Sequence, residues 1–348
     1  MTSPGPCYIV TGGCGFIGSN VAATLERQDP TCHVLVIDSF RSGTFGTLVE
    51  SCDRINGSPF RGEVLPESVE TLEWPSVVIE RRPAAIFHLG AITDTTVDDE
   101  SDMIRQNAGD SWRLLLETAA DGGIPLVYAS SAATYGTPPE VNSRTAFAEA
   151  SAGKPNNVYG FSKWLMETAH RRFVAERVEA GEPEPWIVGL RYFNVFGPGE
   201  AGKGSMSSMA YQLARQVFDG GRPKLFRDGS QIRDQVPVQD IVGITLAAAG
   251  LGERLDPVPG VYNAGSGTPT TFEDVAESVR KGLGIATGDR TTEYFDMPPH
   301  IARFYQSFTL ADMSAAKQGL GFEPRHPPHE AIASYAAMLA EQWSMAER

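Results

Sequence analysis

The chain has 348 residues, 41% of them hydrophobic and 21% charged, so it can hold one large domain or two smaller ones around a buried core. Its 43 acidic and 29 basic residues give a formal charge of −14, which argues against a nucleic-acid partner and against an anionic membrane surface. No apolar stretch reaches about 18 residues and no signal peptide precedes the first predicted strand, so we predict a soluble cytoplasmic protein.

Short apolar runs alternate with amphipathic helical patterns through the first half of the chain. This alternation predicts parallel strands whose connecting helices cover both faces of a sheet. The predicted strands are Cys7–Val10, Val34–Ile37, Ala85–Leu89, Pro125–Ala129 and Trp186–Leu190, and the predicted helices include Phe16–Arg27, Ser111–Ala120 and Val158–Val178.

After about residue 195 the elements become shorter and richer in glycine and proline. We therefore predict an α/β fold, with a Rossmann-type doubly wound parallel sheet at residues 1–194 and a smaller mixed α/β substrate-binding lobe at residues 195–348. Some segments are expected to cross between the two. Helices are predicted in the second half at Ser205–Asp219, Val238–Gly250, Phe272–Leu283 and Glu330–Trp343.

A glycine-rich turn follows the first predicted strand and opens the first predicted helix. Glycines at 12, 15 and 18 allow a tight turn, close approach of a pyrophosphate and close packing of helix on strand. The helix N-terminus then offers free N–H groups to the anion. Asp38 stands 20 positions after Gly18, where a carboxylate would bond the ribose hydroxyls, so the pattern predicts a bound nicotinamide dinucleotide.

The residues after the second predicted strand bear on the choice between NAD and NADP. The carboxylate of Asp38 suits the ribose diol of NAD and repels a 2′-phosphate, whereas Arg41 is near enough in sequence to offset that charge. The residues alone leave both cofactors open. His88 lies near the end of the predicted strand Ala85–Leu89. We assign it no chemistry, because a core histidine with its hydrogen bonds satisfied explains it equally well.

A tyrosine and a lysine four residues apart, Tyr159 and Lys163, share one face of a predicted helix. At about 4 Å and an effective dielectric of about 20, an ammonium attracts a phenolate by roughly 4 kcal/mol, nearly 3 pKa units before desolvation is subtracted. Such a phenol can act as a base towards a sugar hydroxyl. Ser131 comes just after the predicted strand Pro125–Ala129, at the edge where open parallel sheets bind ligands, and can bond the same hydroxyl.

Three further polar residues follow the predicted strand Trp186–Leu190. Asn194 is placed to reach a sugar or diphosphate, and Lys203 lies in a glycine-rich loop where a solvated lysine and a substrate contact are both open. Arg233 offers a diphosphate its forked donors, and the alternative is a surface ion pair with Asp234. No Asp-Glu pair follows the serines at 130 and 131, so we find no acid and base for eliminating water.

These motifs resemble the extended short-chain dehydrogenase/reductase superfamily, and within it the ADP-L-glycero-D-manno-heptose 6-epimerases. The matching segments are TGGCGFIGSN (11–20), YASSAATYG (128–136), NVYGFSK (157–163), RYFNVFGPGE (191–200), KGSMSSMA (203–210), PKLFRDGSQIRD (223–234) and RFYQSFTLADM (303–313). The first three recur across the superfamily. KGSM after RYFNVFGP, and the YQSFT segment, are particular to the heptose epimerases.

The resemblance implies inversion of carbon 6 of ADP-D-glycero-D-manno-heptose through a transient ketone, with return of the same hydride. Proton donors are then needed on two sides, and by position Tyr159 resembles the first acid/base and Lys203 the second. Lys163 resembles the cofactor-binding partner of the tyrosine, and Ser131 the serine that bonds the substrate. The resemblance also implies tightly bound NADP, a nucleotide-diphosphate sugar as substrate, and a homo-oligomer.

The predicted site has four catalytic residues and no metal. The catalytic residues are Tyr159, Lys163, Ser131 and Lys203. The predicted cofactor contacts are Gly12, Gly15, Phe16, Ile17, Gly18, Asp38, Ser39, Leu89, Gly90, Ala91, Asn107, Tyr159, Lys163 and Val195. The predicted substrate contacts are Ser131, Asn194, Lys203, Ser205, Gln212, Phe226, Ser230, Arg233 and Tyr305.

The chain departs from the family pattern at three positions. Gly199 stands where these epimerases commonly carry an arginine, and Gln212 stands where they carry a histidine. The lysine that they place shortly after the second strand, suited to a 2′-phosphate, is replaced in this chain near Phe45. Two other functions stay open. A UDP-hexose 4-epimerase would use the same tyrosine, lysine and serine without requiring Lys203, and a non-catalytic dinucleotide sensor is a third reading, although such proteins tend to lose the tyrosine or the lysine.

Overall fold

A computed structural model describes residues 5–93, 99–137, 144–286, 288–298 and 306–346. In the first half, strands and helices alternate as predicted. The strands are β1 (Cys7–Thr11), β2 (His33–Ile37), β3 (Glu63–Leu65), β4 (Ala85–His88), β5 (Leu126–Ser131) and β6 (Ile187–Tyr192). The helices are α1 (Phe16–Gln28), α2 (Phe45–Asn56), α3 (Trp74–Arg81), α4 (Glu100–Ala108), α5 (Asp110–Asp121) and α6 (Val158–Glu179).

The second half consists of shorter strands between helices. The strands are β7 (Asn194–Phe196), β8 (Lys224–Phe226), β9 (Ile232–Pro237), β10 (Gly260–Ala264), β11 (Pro269–Thr271) and β12 (Glu293–Phe295). The helices are α7 (Met209–Phe218), α8 (Val238–Ala248), α9 (Phe272–Gly282), α10 (Ser314–Leu320) and α11 (Pro328–Ala346).

Seven parallel strands form the main sheet in the order β10-β6-β5-β4-β1-β2-β3. The predicted Rossmann-type parallel sheet is therefore confirmed. β10 comes from the second half of the chain yet pairs with β6, while β11, β9 and β7 form a separate small sheet, as do β12 and β8. The proposed division near residue 194 stays a prediction.

The sheet is buried on both faces, which explains why its strands read as unbroken apolar runs. Successive side chains of β2 point to opposite faces. Val34 and Val36 join a core cluster that includes residues of α1, α2 and α8, whereas Leu35 and Ile37 join one that includes residues of α3, α5 and α6. A third cluster, built around α7, α9 and α11, forms the core of the second half.

The helix predicted at Ser205–Asp219 begins later than expected. Ser208 caps α7 by accepting the Tyr211 N–H at 3.2 Å, so the helix proper starts at Met209. The preceding residues Ala201–Met206 form a short 3₁₀ helix that contains Gly204 at φ +54°, a value that favours glycine. The loop carrying Lys203 is therefore not part of α7.

The described residues can be searched for membrane-spanning helices, metal-ligand clusters and reactive cysteines. No described helix is long and apolar enough to cross a membrane, and no group of three or more His, Cys, Asp or Glu side chains within them is placed to hold a metal ion. All four cysteines are free thiols. Burial raises the pKa of Cys14 and of Cys52 to about 12, so neither is a nucleophile at neutral pH.

Candidate functional site

The turn between β1 and α1 is shaped by glycines that leave no room for side chains. Gly12 has φ +66°, and a Cβ atom there would lie 2.8 Å from the Gly90 Cα, so this turn and the loop after β4 touch. A Cβ atom at Gly18 would lie 2.2 Å from the Gly12 carbonyl oxygen. Gly15 is the N-cap of α1 and supplies no capping side chain, so no N-cap side chain occupies the helix N-terminus, where a dinucleotide pyrophosphate would bind.

Asp38 lies buried at the end of β2 and faces the same turn. Its Oδ2 accepts the Cys14 N–H at 2.9 Å and its Oδ1 accepts the Phe40 N–H at 2.8 Å. Each oxygen of an ionised carboxylate has a second lone pair, so the group can still accept hydrogen bonds from a ribose diol. The turn and this acid therefore fit a dinucleotide.

Arg41, the cation closest in sequence to Asp38, bonds to a different carboxylate. Its Nη1 donates to Asp102 Oδ2 at 2.9 Å, and this bond lowers the pKa of Asp102. Phe45 opens α2, and 52% of its surface is exposed where the resemblance would place a lysine.

The loop after β4, which includes the predicted contacts Leu89, Gly90 and Ala91, is held by Thr11. The Thr11 Oγ1 accepts the Leu89 N–H at 3.0 Å and the Gly90 N–H at 2.9 Å. Both of its lone pairs are then used, so its own hydrogen goes to His88 Nδ1 at 3.1 Å and the His88 proton is assigned to Nε2. Burial lowers the His88 pKa to about 3, so it is a neutral, satisfied core histidine.

Asn107, predicted as a cofactor contact, uses its amide within the protein. Its Oδ1 accepts the Ile92 N–H at 2.8 Å, and its Nδ2 donates to the Ile92 carbonyl and to Ser162 Oγ, each at 3.0 Å. Ser162 in turn donates to the Tyr159 carbonyl at 2.8 Å. Asn107 therefore fixes α6, and the tyrosine on it, against the loop after β4.

Tyr159 and Ser131 are brought together as predicted. Their side chains are hydrogen-bonded, and the Ser131 Oγ also accepts the Ala133 N–H at 3.1 Å. Burial nevertheless raises the Tyr159 pKa, and the bond from Ser131 offsets only part of that rise. The lowered phenol pKa expected from the sequence is therefore wrong for this arrangement, because desolvation outweighs the bond from Ser131 and the Lys163 amine donates to the Ala129 carbonyl instead.

Lys163 is buried one turn further along α6. Its Nζ donates to the Ala129 carbonyl at 2.9 Å and lies 3.7 Å from Met166 Sδ. Burial lowers the Lys163 pKa to about 7, so both the charged and the neutral amine are populated near neutral pH.

Gly160 explains how the tyrosine reaches the serine. A Cβ atom at this position would lie 2.5 Å from the Ala133 carbonyl oxygen, so a glycine is needed for α6 to pack against the turn after β5. Asn157 caps the helix by accepting the Gly160 N–H at 2.8 Å. These contacts account for the glycine that follows the tyrosine in the sequence.

Lys203 lies against the glycine-rich turn, from a different element. Its Nζ is 5.6 Å from the ring centroid of Phe16, the first residue of α1. The loop comes this close because Gly199, at φ +102°, would place a Cβ atom 3.2 Å from Asn20 Nδ2. The arginine that the family commonly carries there would not fit this conformation.

Two predicted substrate contacts belong to the Lys203 loop itself. The Gln212 Nε2 donates to the Ser207 carbonyl at 2.8 Å and to the Ser205 carbonyl at 3.2 Å. The Gln212 amide therefore braces the loop, and Ser205 is exposed on it.

The pair Arg233 and Asp234 is not a surface ion pair. Both side chains are buried, with the Arg233 guanidinium 5.7 Å from the Phe272 ring. Asp234 accepts hydrogen bonds from the backbone N–H groups of Ser266, Gly267 and Ala311, so it ties three segments of the second half together.

The other predicted contacts lie in varied surroundings. Asn194 is exposed at the start of β7 and accepts a hydrogen bond from Thr309 at 3.3 Å, and Val195 beside it is half-buried. Phe226 packs on Phe295 with ring centroids 4.9 Å apart. Ser39 and Ser230 are exposed, and Ile17 and Ala91 are half-buried. Tyr305 lies outside the described residues.

Sequence reasoning missed a buried ion pair next to β5. Glu167 on α6 and Arg191 on β6 are both 0% exposed and are joined by two bonds, Nε to Oε1 at 2.8 Å and Nη2 to Oε2 at 2.7 Å. Ser130 donates to the same carboxylate at 2.6 Å, and Arg191 also donates to the Tyr135 hydroxyl at 2.9 Å. An arginine inside an otherwise apolar strand was the available signal.

Comparison with known proteins confirms the resemblance. The family model described as "NAD dependent epimerase/dehydratase family" matches residues 8–265. An ADP-L-glycero-D-manno-heptose-6-epimerase of Alkalilimnicola ehrlichii is 36% identical over 313 residues, 88% of this chain and 89% of the relative. The crystal structure of the Helicobacter pylori ADP-L-glycero-D-manno-heptose-6-epimerase has a TM-score of 0.78 and 28% identity, covering 97% of this chain and 96% of the other.

A more distant structure shares the fold alone. The UDP-glucose-4-epimerase of Stenotrophomonas maltophila, solved with bound NAD and formylated UDP-arabinopyranose, has a TM-score of 0.79 but only 22% identity, with 98% of this chain and 99% of the other covered.

Proposed function

Because this chain belongs to the NAD dependent epimerase/dehydratase family, we propose that it inverts carbon 6 of ADP-D-glycero-D-manno-heptose to give ADP-L-glycero-D-manno-heptose. The observation that carries the proposal is the presence of two candidate proton-transfer groups on separate elements. Tyr159 stands on α6 beside Ser131, and Lys203 stands on the loop that packs against α1. The two relatives named for this reaction support the choice of substrate.

We assign the side chains the roles that the family resemblance implies, and their positions support this assignment. Ser131 bonds the hydroxyl of carbon 6, and Tyr159 takes its proton in the ionised form, which burial makes the minor form at neutral pH. With the hydride also removed from carbon 6, the resulting ketone turns about its bond to the ring. A bound nicotinamide dinucleotide supplies the acceptor and the donor of the hydride. Lys203 delivers the proton from the other side, so one hydride and two proton-transfer groups together invert the centre.

A substrate panel tests the proposal. The purified protein should convert ADP-D-glycero-D-manno-heptose to the L-glycero epimer, detected by NMR of carbon 6, and leave UDP-galactose and UDP-glucose unchanged. Turnover of the UDP-hexoses with no turnover of the ADP-heptose would overturn the proposed substrate. No turnover of any nucleotide sugar would overturn the proposed epimerase activity.

We infer that the bound cofactor is NAD. Asp38 presents a buried carboxylate to the ribose position, and the Arg41 guanidinium bonds Asp102. Phe45 places an exposed aromatic ring where a lysine would meet a 2′-phosphate. These features favour a ribose diol over a phosphate.

The substitution Phe45→Lys should therefore shift the preference towards NADP. A new cation at the start of α2 is expected to raise the ratio of NADP to NAD affinity about tenfold, equivalent to 1.4 kcal/mol. Titration of each cofactor by fluorescence measures the ratio. The control Glu50→Gln lies further along α2 and changes net charge by the same amount, so it should leave the ratio near wild type. Wild-type protein that is purified with NADP bound would contradict the inference.

The oligomeric state and the cytoplasmic location stay predictions. Size-exclusion chromatography with light scattering would establish whether the protein is the homo-oligomer that the resemblance implies.

A further inference from the structure

One face of α6 carries a row of four polar side chains that face β5. They follow one another at intervals of four, four and three residues, which places them on one side of the helix. The row consists of Tyr159, Lys163, Glu167 and His170. The last three side chains are buried, and each bonds a different residue of β5. The row therefore fastens the strand to the helix that carries the candidate base.

The three bonds join consecutive residues of β5 to this row. The pairs are Tyr128 with His170 at 3.1 Å, Ala129 with Lys163 at 2.9 Å, and Ser130 with Glu167 at 2.6 Å. The next residue is Ser131, which ends β5 and is hydrogen-bonded to Tyr159. Among the three bonds, that of Ser130 is thus the one nearest to Ser131 along the strand.

The Glu167 carboxylate is linked to the other flank of Ser131 through Arg191. Arg191 is the register partner of Ser130 across β5 and β6, and it donates to both Glu167 oxygens, at 2.8 and 2.7 Å. The Arg191 Nη1 donates to the Tyr135 hydroxyl at 2.9 Å, and Tyr135 ends the short 3₁₀ helix that follows Ser131. Both flanks of Ser131 are therefore fixed to the same buried ion pair.

The Ser130 bond is not needed to satisfy the charge of Glu167. Arg191 gives one bond to each carboxylate oxygen, and Arg171 donates to Oε2 at 2.7 Å. Without the Ser130 hydroxyl the ion pair would therefore stay complete. What the hydroxyl adds is a short, charge-assisted link between the end of β5 and α6. We expect its loss to release the strand end more than it destabilises the protein.

We propose that Ser130 is a positioning residue whose bond to Glu167 holds the Ser131 hydroxyl against Tyr159. The direction in which the Ser131 side chain leaves the strand depends on the backbone of the residue before it, so a fixed Ser130 fixes that direction. The catalytic part of this inference rests on the proposed function, in which both hydroxyls act on carbon 6 of the substrate. Ser130 acts through Ser131.

The first test requires no substrate. Protein labelled with ¹³C at the tyrosine Cζ atoms gives an NMR signal for Tyr159, which the variant Tyr159→Phe identifies. The shift of this signal responds to the hydrogen bond at the phenol oxygen, so Ser131→Ala defines the change that loss of the bond produces. Ser130→Ala should move the signal in the same direction by a large part of that change. An unmoved signal in Ser130→Ala would overturn the proposal whatever the activity, and an unmoved signal in Ser131→Ala would overturn the contact on which it rests.

Two further variants accompany the NMR test. Arg171→Ala removes a half-exposed donor from the same carboxylate without touching β5, so the Tyr159 signal should stay at its wild-type position. An equal shift in this variant would indicate a general loosening of α6 and overturn the specific role of Ser130. Should Ser130→Ala fail to fold, Ser130→Cys replaces the hydroxyl by a weak donor and should shift the signal in the same direction, with no shift counting against the proposal.

The second test uses the ADP-heptose. Ser130→Ala should lower kcat about tenfold with KM changed less than about threefold, since misplacing a positioned group by about 1 Å can cost about 100-fold. In a Ser131→Ala background the same substitution should have little further effect on kcat, because its route to the chemistry is already lost. Equal losses in the two backgrounds would show that Ser130 does not act through Ser131.

The two tests separate this inference from the proposed function. A shifted Tyr159 signal in a protein whose wild type is inactive on the ADP-heptose overturns the proposed function and leaves the positioning by Ser130 intact. A shifted signal with wild-type kcat overturns the catalytic part of the proposal.

Discussion

Replacing Lys203 by alanine is expected to lower kcat for epimerisation about 10²- to 10⁴-fold, the range for loss of a positioned acid or base. The amine lies on the loop against α1, apart from Tyr159 on α6, so no other group named in the site supplies the second proton. Steady-state kinetics with ADP-D-glycero-D-manno-heptose measures the loss. The content of bound dinucleotide should stay at the wild-type level.

A second readout separates the two proton-transfer groups. Each group is expected to take the hydroxyl proton of one of the two epimers. Lys203→Ala should therefore still oxidise the epimer whose proton Tyr159 takes, which gives the absorbance of reduced nicotinamide in a single turnover. It should not oxidise the other epimer. Lys224→Ala, which removes an exposed lysine on β8, should match wild type in both assays. Near-normal turnover of Lys203→Ala would remove its acid/base role.

Replacing Arg191 by alanine is expected to lower the free energy of unfolding by about 3 kcal/mol, the lower end for a broken buried ion pair, because the Glu167 carboxylate then keeps only Ser130 and the half-exposed Arg171 as donors. Both side chains are 0% exposed, and their two bonds of 2.8 and 2.7 Å join β6 to α6 beneath the catalytic serine strand. Urea denaturation followed by circular dichroism measures the change.

An exposed pair on the same helix provides the matched control. Arg172 and Glu176 form a bond of 2.7 Å, with side chains that are 79% and 57% exposed. Arg172→Ala should cost less than about 1 kcal/mol, as for most surface ion pairs. Equal losses in the two variants would show that burial of the Arg191 pair does not determine its contribution.

The parallel core could be predicted from sequence because burial on both faces leaves unbroken apolar runs. The five predicted strands correspond to β1, β2, β4, β5 and β6. β3, β7, β8, β11 and β12 were missed, since three-residue segments such as Glu63–Leu65 carry no readable periodicity. β9 and β10, of six and five residues, were missed as well.

The catalytic motif also predicted a real contact, because the bond between Ser131 and Tyr159 follows from the parallel sheet edge and the helix after it. The hydrogen-bond partners of the Asn107 and Gln212 amides could not be predicted. Asn107 and Gln212 turn their side chains to backbone groups that only the folded chain brings near. The direction of the Tyr159 pKa shift depends on burial, which sequence spacing does not reveal.

The central claim is that carbon 6 is inverted by return of the same hydride between two proton-transfer groups. The direct test is incubation with ADP-D-glycero-D-manno-heptose in deuterated water, followed by NMR of the product. We predict the L-glycero epimer with no deuterium at carbon 6, because only the hydroxyl proton exchanges with solvent. Deuterium at carbon 6 of the product would contradict the account.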